Sequence, residues 1–75
     1  MNINTQMILN AQKTITGIAD NTPLVPSYFM SNFIQDECLL KLESMQAIGS
    51  FKMRGALNAV FNLPSDTEGV TCCST

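Results

Sequence analysis

Near the N-terminus, apolar side chains recur every three or four residues, which is the spacing of one face of a helix. The pattern predicts a helix over about residues 5–16 that ends near Gly17, with Asn4 or Thr5 as its N-cap. Its apolar stripe consists of Met7, Ile8, Ala11, Ile15 and Ile18. The polar stretch 20–23 then ends the helix, because its Asp, Asn and Pro residues favour turns.

A second, shorter helix is predicted after a proline-containing segment. Two prolines keep residues 22–25 extended, because a residue that precedes proline avoids the helical region. Ser27 is then placed to cap a helix that ends at Phe33 or Ile34. Three aromatic side chains of this segment are expected to be partly buried, namely Tyr28, Phe29 and Phe33.

A third helix is predicted from Phe51 to about Leu63, where Ser50 supplies the N-cap and Pro64 ends the helix. Its apolar stripe has helical spacing and consists of Met53, Ala56, Leu57, Val60 and Phe61. Residues 44–49 before this helix are predicted to be a loop, and residues 65–69 after it a turn.

Two strands are predicted around the third helix, at residues 37–43 and from residue 70 to 73. The first is nearly continuous in apolar residues, which favours a strand covered on both faces. A strand, a helix and a strand in this order form the crossover unit of a parallel sheet. Such a sheet needs helices on both faces, and this chain supplies too few of them. The pattern therefore predicts the opening portion of a larger α/β protein.

Composition narrows the class of protein further. The net charge is −2 and the four basic side chains are scattered, which argues against a nucleic-acid or anionic-membrane surface. No apolar run has the length of a membrane span or of a secretory signal. Three cysteines and no histidine give neither a disulfide framework nor a zinc site, so we expect a reducing, cytoplasmic location and no metal. The pair Cys72-Cys73 is expected to lie buried in the last strand.

The most informative side chain is Lys52, which the pattern places in the first turn of the third helix. A protonated lysine there is repelled by the partial positive charge of the helix N-terminus. An unprotonated amine can attack a carbonyl or hold an aldehyde as a Schiff base. Gly49 and Gly55 are expected to leave space for a ligand on either side. The competing interpretation is an ordinary lysine whose charge extends into water.

The block Gly49–Ala56, with the sequence Gly-Ser-Phe-Lys-Met-Arg-Gly-Ala, resembles the cofactor-lysine motif of the threonine/serine dehydratase family. These are pyridoxal-phosphate enzymes of the tryptophan-synthase β-like fold, and serine racemase is one of them. Three more blocks resemble family segments in the same order and spacing. They are Thr22-Pro23-Leu24 with Ser27, Leu40-Lys41-Leu42-Glu43 with Gln46, and Gly69-Val70 with Ser74-Thr75.

The resemblance implies a fold and a set of site residues. The fold is the N-terminal portion of the family's α/β architecture, incomplete here, in the order helix, short helix, strand, helix, strand. Lys52 would hold pyridoxal 5'-phosphate as a Schiff base and later act as the base at the substrate's Cα, and Phe51 would pack against the cofactor ring. Ser74 would bind the substrate carboxylate. Thr75 matches a second catalytic serine of serine racemase, on the opposite face of the ring.

The resemblance also implies a function. The parent protein would be a pyridoxal-phosphate-dependent dehydratase that converts threonine or serine to a 2-oxo acid and ammonia, and it would be a homo-oligomer. Residues 1–75 would be the N-terminal part of its catalytic domain. Two alternatives stay open, an amino-acid racemase of the same family and an inactive truncated chain. The run Gly69–Thr75 also resembles dehydratases encoded with ectoine-degradation genes.

Two charged residues beside the motif allow more than one interpretation. Arg54 either binds an anion or forms a structural salt bridge. Glu43, at the end of the predicted strand, is either a solvated carboxylate or a paired one.

Overall fold

The computed structural model describes residues 2–73 of the 75-residue chain. In chain order, the elements are α1 (Thr5–Ile15), β1 (Leu24–Pro26), α2 (Tyr28–Ile34), β2 (Leu39–Lys41), a 3-10 helix (Glu43–Met45) and α3 (Lys52–Phe61). Three helices and a two-stranded sheet make a small α/β structure. The predicted fold class is therefore confirmed.

Helix α1 begins and ends close to where its sequence predicts. The side chain of Asn4 accepts a hydrogen bond from the backbone N–H of Met7 at 2.9 Å, so Asn4 is the N-cap. At the other end, Gly17 has a φ of +89°, a conformation that is costly for residues with a Cβ. The local signals of cap and glycine thus set both ends of this helix.

Helix α2 also has its predicted bounds, but its aromatic side chains are not buried as predicted. The Oγ of Ser27 accepts a hydrogen bond from the backbone N–H of Met30 at 3.2 Å, which confirms the cap. Tyr28, Phe29 and Phe33, however, are 82%, 78% and 77% exposed. The prediction of partial burial is wrong for the described chain, because no element of residues 2–73 packs over this face of α2.

The sheet differs from the predicted parallel crossover. Strands β1 and β2 pair antiparallel, with Val25 opposite Leu40 at the centre of the register. Strand β2 covers three residues rather than 37–43, and all three are exposed. Residues 70–73 are outside any strand and Cys72 and Cys73 are exposed, so the predicted second strand is not formed there. A strand needs a neighbour for its backbone hydrogen bonds, and the described residues supply none at this position.

Helix α3 begins one residue later than predicted. Phe51 is the N-cap residue and its side chain makes no capping hydrogen bond. Ser50 instead sits one position earlier, and its Oγ accepts a weaker bond from the backbone N–H of Lys52 at 3.3 Å. The helix ends at Phe61, before Pro64.

The interior of the described chain is small and mostly polar. Ile15 is the one buried apolar side chain among residues 2–73, where α1 packs against α3. Thr22 and Gln46 are more buried still, with 6% and 3% of their surface exposed. The best-enclosed part of the structure therefore surrounds polar groups, which lie next to the first turn of α3.

Candidate functional site

Lys52 is the first residue of α3, which is the position that the sequence predicts for it. Its side chain is exposed, and within residues 2–73 its amine forms neither an ion pair nor a hydrogen bond. Phe51 lies immediately before it and is 68% exposed. The described chain thus presents a primary amine beside an accessible aromatic ring.

A tight turn leads into this lysine. Gly49 has a φ of +79°, and its backbone N–H donates to the carbonyl oxygen of Gln46 at 2.8 Å. A Cβ at either Gly49 or Gly55 would meet no atom within 4 Å, so both positions are open, as predicted. At Gly49 the stronger requirement is the left-handed backbone, which favours glycine whatever the space.

Arg54 lies two residues after Lys52 and forms a two-pronged ion pair with Glu43. Its Nε donates to Glu43 Oε2 at 2.8 Å, and its Nη2 donates to Glu43 Oε1 at 2.9 Å. Nη2 also donates to the backbone carbonyl of Asp20 at 3.1 Å. Parallel bonds of this kind fix the orientation of a guanidinium as well as its distance. The sequence leaves two interpretations open for each residue. In the structure, Arg54 forms a salt bridge and Glu43 is a paired carboxylate.

Gln46 completes this cluster from the side of the loop. Its Oε1 accepts from the backbone N–H of Asp20 at 2.9 Å, and its Nε2 donates to the carbonyl of Asp20 at 2.8 Å. Nε2 also donates to Glu43 Oε2 at 3.2 Å, while Thr22 Oγ1 donates to Glu43 Oε1 at 2.6 Å. We call Asp20, Thr22, Glu43, Gln46 and Arg54 the polar junction.

The polar junction strongly favours the ionised form of Glu43. The hydrogen bond from Arg54, followed by the one from Thr22, lowers the pKa of Glu43 from its ordinary value of 4.5 to about 2. The same pairing raises the pKa of Arg54. Both side chains are therefore charged at neutral pH, and neither charge is left unpaired.

Apart from the polar junction, the structure has an open groove of about 640 Å³ between α1 and α3. Ile8, Ala11 and Ile15 line it from α1, while Gly55 and Asn58 line it from α3. Lys52 is not among its lining residues. The groove and the candidate lysine are therefore separate features of the described chain.

The structure brings together only part of the predicted site. Lys52 and Phe51 are adjacent at the start of α3, whereas Ser74 and Thr75 lie outside the described residues, so their predicted roles stay predictions. The sequence analysis missed that Thr22 and Gln46 bond to Glu43, the partner of Arg54. Both residues stand in blocks that resemble family segments, but their contacts join residues more than 20 positions apart, which the sequence alone does not show.

Comparison with known proteins decides the family. The model for pyridoxal-phosphate-dependent enzymes matches residues 15–75, which include the motif around Lys52. The chain belongs to this family. The family depends on pyridoxal phosphate, which confirms the cofactor that the motif implies.

Individual relatives of this chain are named as dehydratases, an ammonia-lyase and a racemase. The catabolic L-threonine dehydratase of Escherichia coli is 39% identical over 70 residues, which are 89% of this chain and 21% of the relative. The L-threonine ammonia-lyase of Thermotoga maritima is 36% identical over 69 residues, again 89% of this chain but 17% of the relative. The serine racemase of Dictyostelium discoideum is 37% identical over 59 residues, which are 79% of this chain and 18% of the relative.

These matches have clear bounds. The chain spans 17 to 23% of the length of the curated relatives that it matches. No solved structure matches it. The likeness to dehydratases encoded with ectoine-degradation genes stays a prediction. None of the helices in residues 2–73 combines the length and the apolarity needed to cross a membrane.

The residues around Lys52 fit the family's cofactor chemically. An aldehyde needs an accessible primary amine to bond covalently, and the exposed amine of Lys52 meets that need. Lys41 is a poorer candidate, because its Nζ already donates to the backbone carbonyl of Thr22. The aromatic side chain of Phe51 beside Lys52 offers a surface for a planar ring.

Proposed function

We propose that residues 1–75 are the N-terminal part of the catalytic domain of a pyridoxal-phosphate-dependent dehydratase. Its substrate would be a hydroxy amino acid such as threonine or serine, and its products a 2-oxo acid and ammonia. The observation that carries this proposal is the placement of Lys52 at the first position of α3, in a chain that matches the pyridoxal-phosphate family over residues 15–75. The dehydratase and ammonia-lyase names of the relatives support the reaction class.

Each predicted site residue has a separate task in this proposal. The amine of Lys52 holds the aldehyde carbon of the cofactor and, once released, takes the proton from the substrate's Cα. Phe51 packs against the ring, and Ser74 binds the substrate carboxylate. When bound, pyridoxal phosphate supplies the electron sink that makes the Cα proton removable. Loss of the β-hydroxyl, followed by addition of water, then gives the 2-oxo acid and ammonia.

A racemase is the second candidate function. The serine racemase of Dictyostelium discoideum matches 79% of this chain, a share similar to that of the dehydratases. Racemisation needs a proton donor on the face opposite the lysine, and Thr75 carries a hydroxyl that would serve there.

A third proposal concerns residues 1–75 alone. We expect them to turn over no substrate, since the curated relatives are four to six times longer.

The proposal also includes a cellular location and an oligomeric state. Cys38, Cys72 and Cys73 are free thiols, and the latter two are exposed, which supports a reducing, cytoplasmic location. The homo-oligomeric state stays a prediction from the family resemblance.

Covalent labelling tests the role of Lys52 directly. Pyridoxal phosphate is added at a low ratio to the folded chain, the imine is reduced with borohydride, and the modified lysines are identified by peptide mass spectrometry. We expect Lys52 to carry more label than Lys13 or Lys41, and Lys52→Arg to remove that excess. Lys13→Arg is the matched control, because it removes an exposed lysine of α1 away from the motif. Equal labelling of all three lysines would contradict the proposal.

A further inference from the structure

The first turn of α3 has little apolar packing to hold it in place. Phe51 is 68% exposed, and within residues 2–73 the one buried apolar side chain, Ile15, lies on α1. Yet a lysine that must meet an aldehyde carbon in a fixed geometry needs a fixed backbone beneath it. Contacts other than apolar packing must therefore fix that backbone.

The polar junction connects this turn to two other segments by hydrogen bonds. Arg54 reaches Glu43 across eleven residues of sequence and the carbonyl of Asp20 across 34. Gln46 in turn holds Asp20 by two hydrogen bonds to its backbone, across 26 residues. The loop after α1, the 3-10 helix after β2 and the start of α3 are thus joined through five side chains or backbone groups.

The position of Arg54 is costly for α3 itself, which makes this arrangement informative. A cation in the first turn of a helix is repelled by the helix dipole, so an arginine there does not stabilise α3 alone. Glu43 offsets this cost by bringing a carboxylate to the same helix end, with both oxygens bonded to the guanidinium. The ion pair of Arg54 with Glu43 therefore connects α3 to other elements and does not stabilise α3 by itself.

We infer that the polar junction positions Lys52: Glu43, Gln46 and Arg54 fix the first turn of α3 so that the lysine amine meets the cofactor aldehyde in a productive orientation. This inference rests on the proposed function, because it assumes that Lys52 is the cofactor lysine. Arg54 and Glu43 are positioning residues, since neither forms the bond to the cofactor. They act through the helix backbone of the first turn of α3, in which a single residue, Met53, separates Arg54 from Lys52.

The same labelling experiment tests the inference, with the ratio of label at Lys52 to label at Lys13 as the readout. Arg54→Gln and Glu43→Gln each remove the ion pair. Arg54→Lys keeps the positive charge but loses the two-pronged geometry. We expect all three variants to lower the ratio by roughly tenfold or more, because misplacement of a reacting group by about 1 Å can cost about 100-fold. If charge alone mattered, Arg54→Lys would keep the wild-type ratio, and the inference would be wrong.

A matched control separates positioning from general stability. Ser31→Ala removes the bonds between the Ser31 hydroxyl and the backbone of Cys38, at 2.8 and 3.4 Å, and leaves the polar junction untouched. We expect it to preserve the Lys52 ratio, and helix content is compared for every variant by circular dichroism. A fall in the ratio for Ser31→Ala equal to that for Arg54→Gln at matched helix content would overturn the inference.

The two proposals fail in different ways. If the wild-type ratio in buffer is no higher than the ratio in denaturing urea, Lys52 has no special reactivity in the folded chain. The proposed function is then contradicted, and the inference with it. If the wild-type ratio is high and the Arg54 and Glu43 variants keep it, the proposed function stands and the inference alone is wrong.

Discussion

The polar junction and the aromatic face of α2 are opposites in the same small structure. In the junction, Gln46 is 3% exposed and hydrogen-bonded at both amide atoms. On α2, Phe29 and Phe33 are 78% and 77% exposed and contact little else within residues 2–73. The usual distribution, with apolar groups inside and polar groups outside, is inverted between these two regions.

The difference shows what each kind of interaction requires. A hydrogen bond is complete when two atoms meet in the right geometry, so a handful of residues from three segments can satisfy one another. An apolar face gains free energy only when a second surface removes it from water. The described residues provide partners for the first kind and not for the second. The junction should therefore respond more strongly to mutation than the aromatic face of α2.

Within the polar junction, the largest expected effect is that of Gln46→Leu. Leucine has a similar size, but it leaves the backbone N–H of Asp20 without its partner and removes one of the two donors to the Asp20 carbonyl, beside the buried position 46. Loss of such partners costs about 2 kcal/mol of unfolding free energy. Urea unfolding followed by circular dichroism measures the change.

Gln6→Leu is the matched control for this substitution. Gln6 lies on α1 and bonds only to the exposed side chain of Asn10 at 2.9 Å. The same chemical change there should shift the unfolding free energy by less than about 0.5 kcal/mol. An equal loss for the two variants would show that burial of Gln46 does not matter, and the comparison between the two regions would break.

Acid should weaken the polar junction through Glu43. Because the folded pKa of Glu43 is lowered from 4.5 to about 2, its contribution to stability is complete above pH 4.5. That contribution is lost as the pH falls from 4.5 towards 2, where the folded carboxylate takes up its proton. The wild-type chain should therefore lose stability over this range, whereas Glu43→Gln should start lower and change less.

A series of urea midpoints between neutral pH and pH 2 measures this effect, with Glu68→Gln as the control. Glu68 is an exposed carboxylate in the segment after α3, away from the junction. Its variant should keep the wild-type pH dependence. If Glu43→Gln and the wild-type chain lose stability in parallel, the carboxylate is not paired as the structure has it.

Much of the fold could be predicted from sequence because its signals are local. Asn4 and Ser27 cap helices over three residues of chain, and the apolar stripes of α1 and α3 repeat within one helix. Such signals are visible in a window of about 11 to 18 residues. The position of Lys52 at the start of α3 could be predicted for the same reason.

What could not be predicted depends on residues far apart in the chain. Val25 pairs antiparallel with Leu40, whereas the predicted parallel crossover joined residues 37–43 with residues 70–73, and no local signal shows which extended segments meet. The same holds for the junction, since Arg54 and Asp20 are 34 residues apart. The predicted burial of Cys72 and Cys73 is wrong for the described residues, because burial requires a covering element and they provide none there.

The smallest expected effect comes from the aromatic face. A double variant, Phe29→Ser with Phe33→Ser, removes two large apolar groups that are already in water, so the unfolding free energy should change by less than about 0.5 kcal/mol. Ile15→Ala is the contrast, because Ile15 of α1 is 9% exposed where α1 packs against α3, and its truncation should cost about 2 kcal/mol. Urea unfolding of the two variants in parallel measures the loss of unfolding free energy in each. Should the double serine variant lose as much stability as Ile15→Ala, this face of α2 is covered in solution, and the contrast with the polar junction fails.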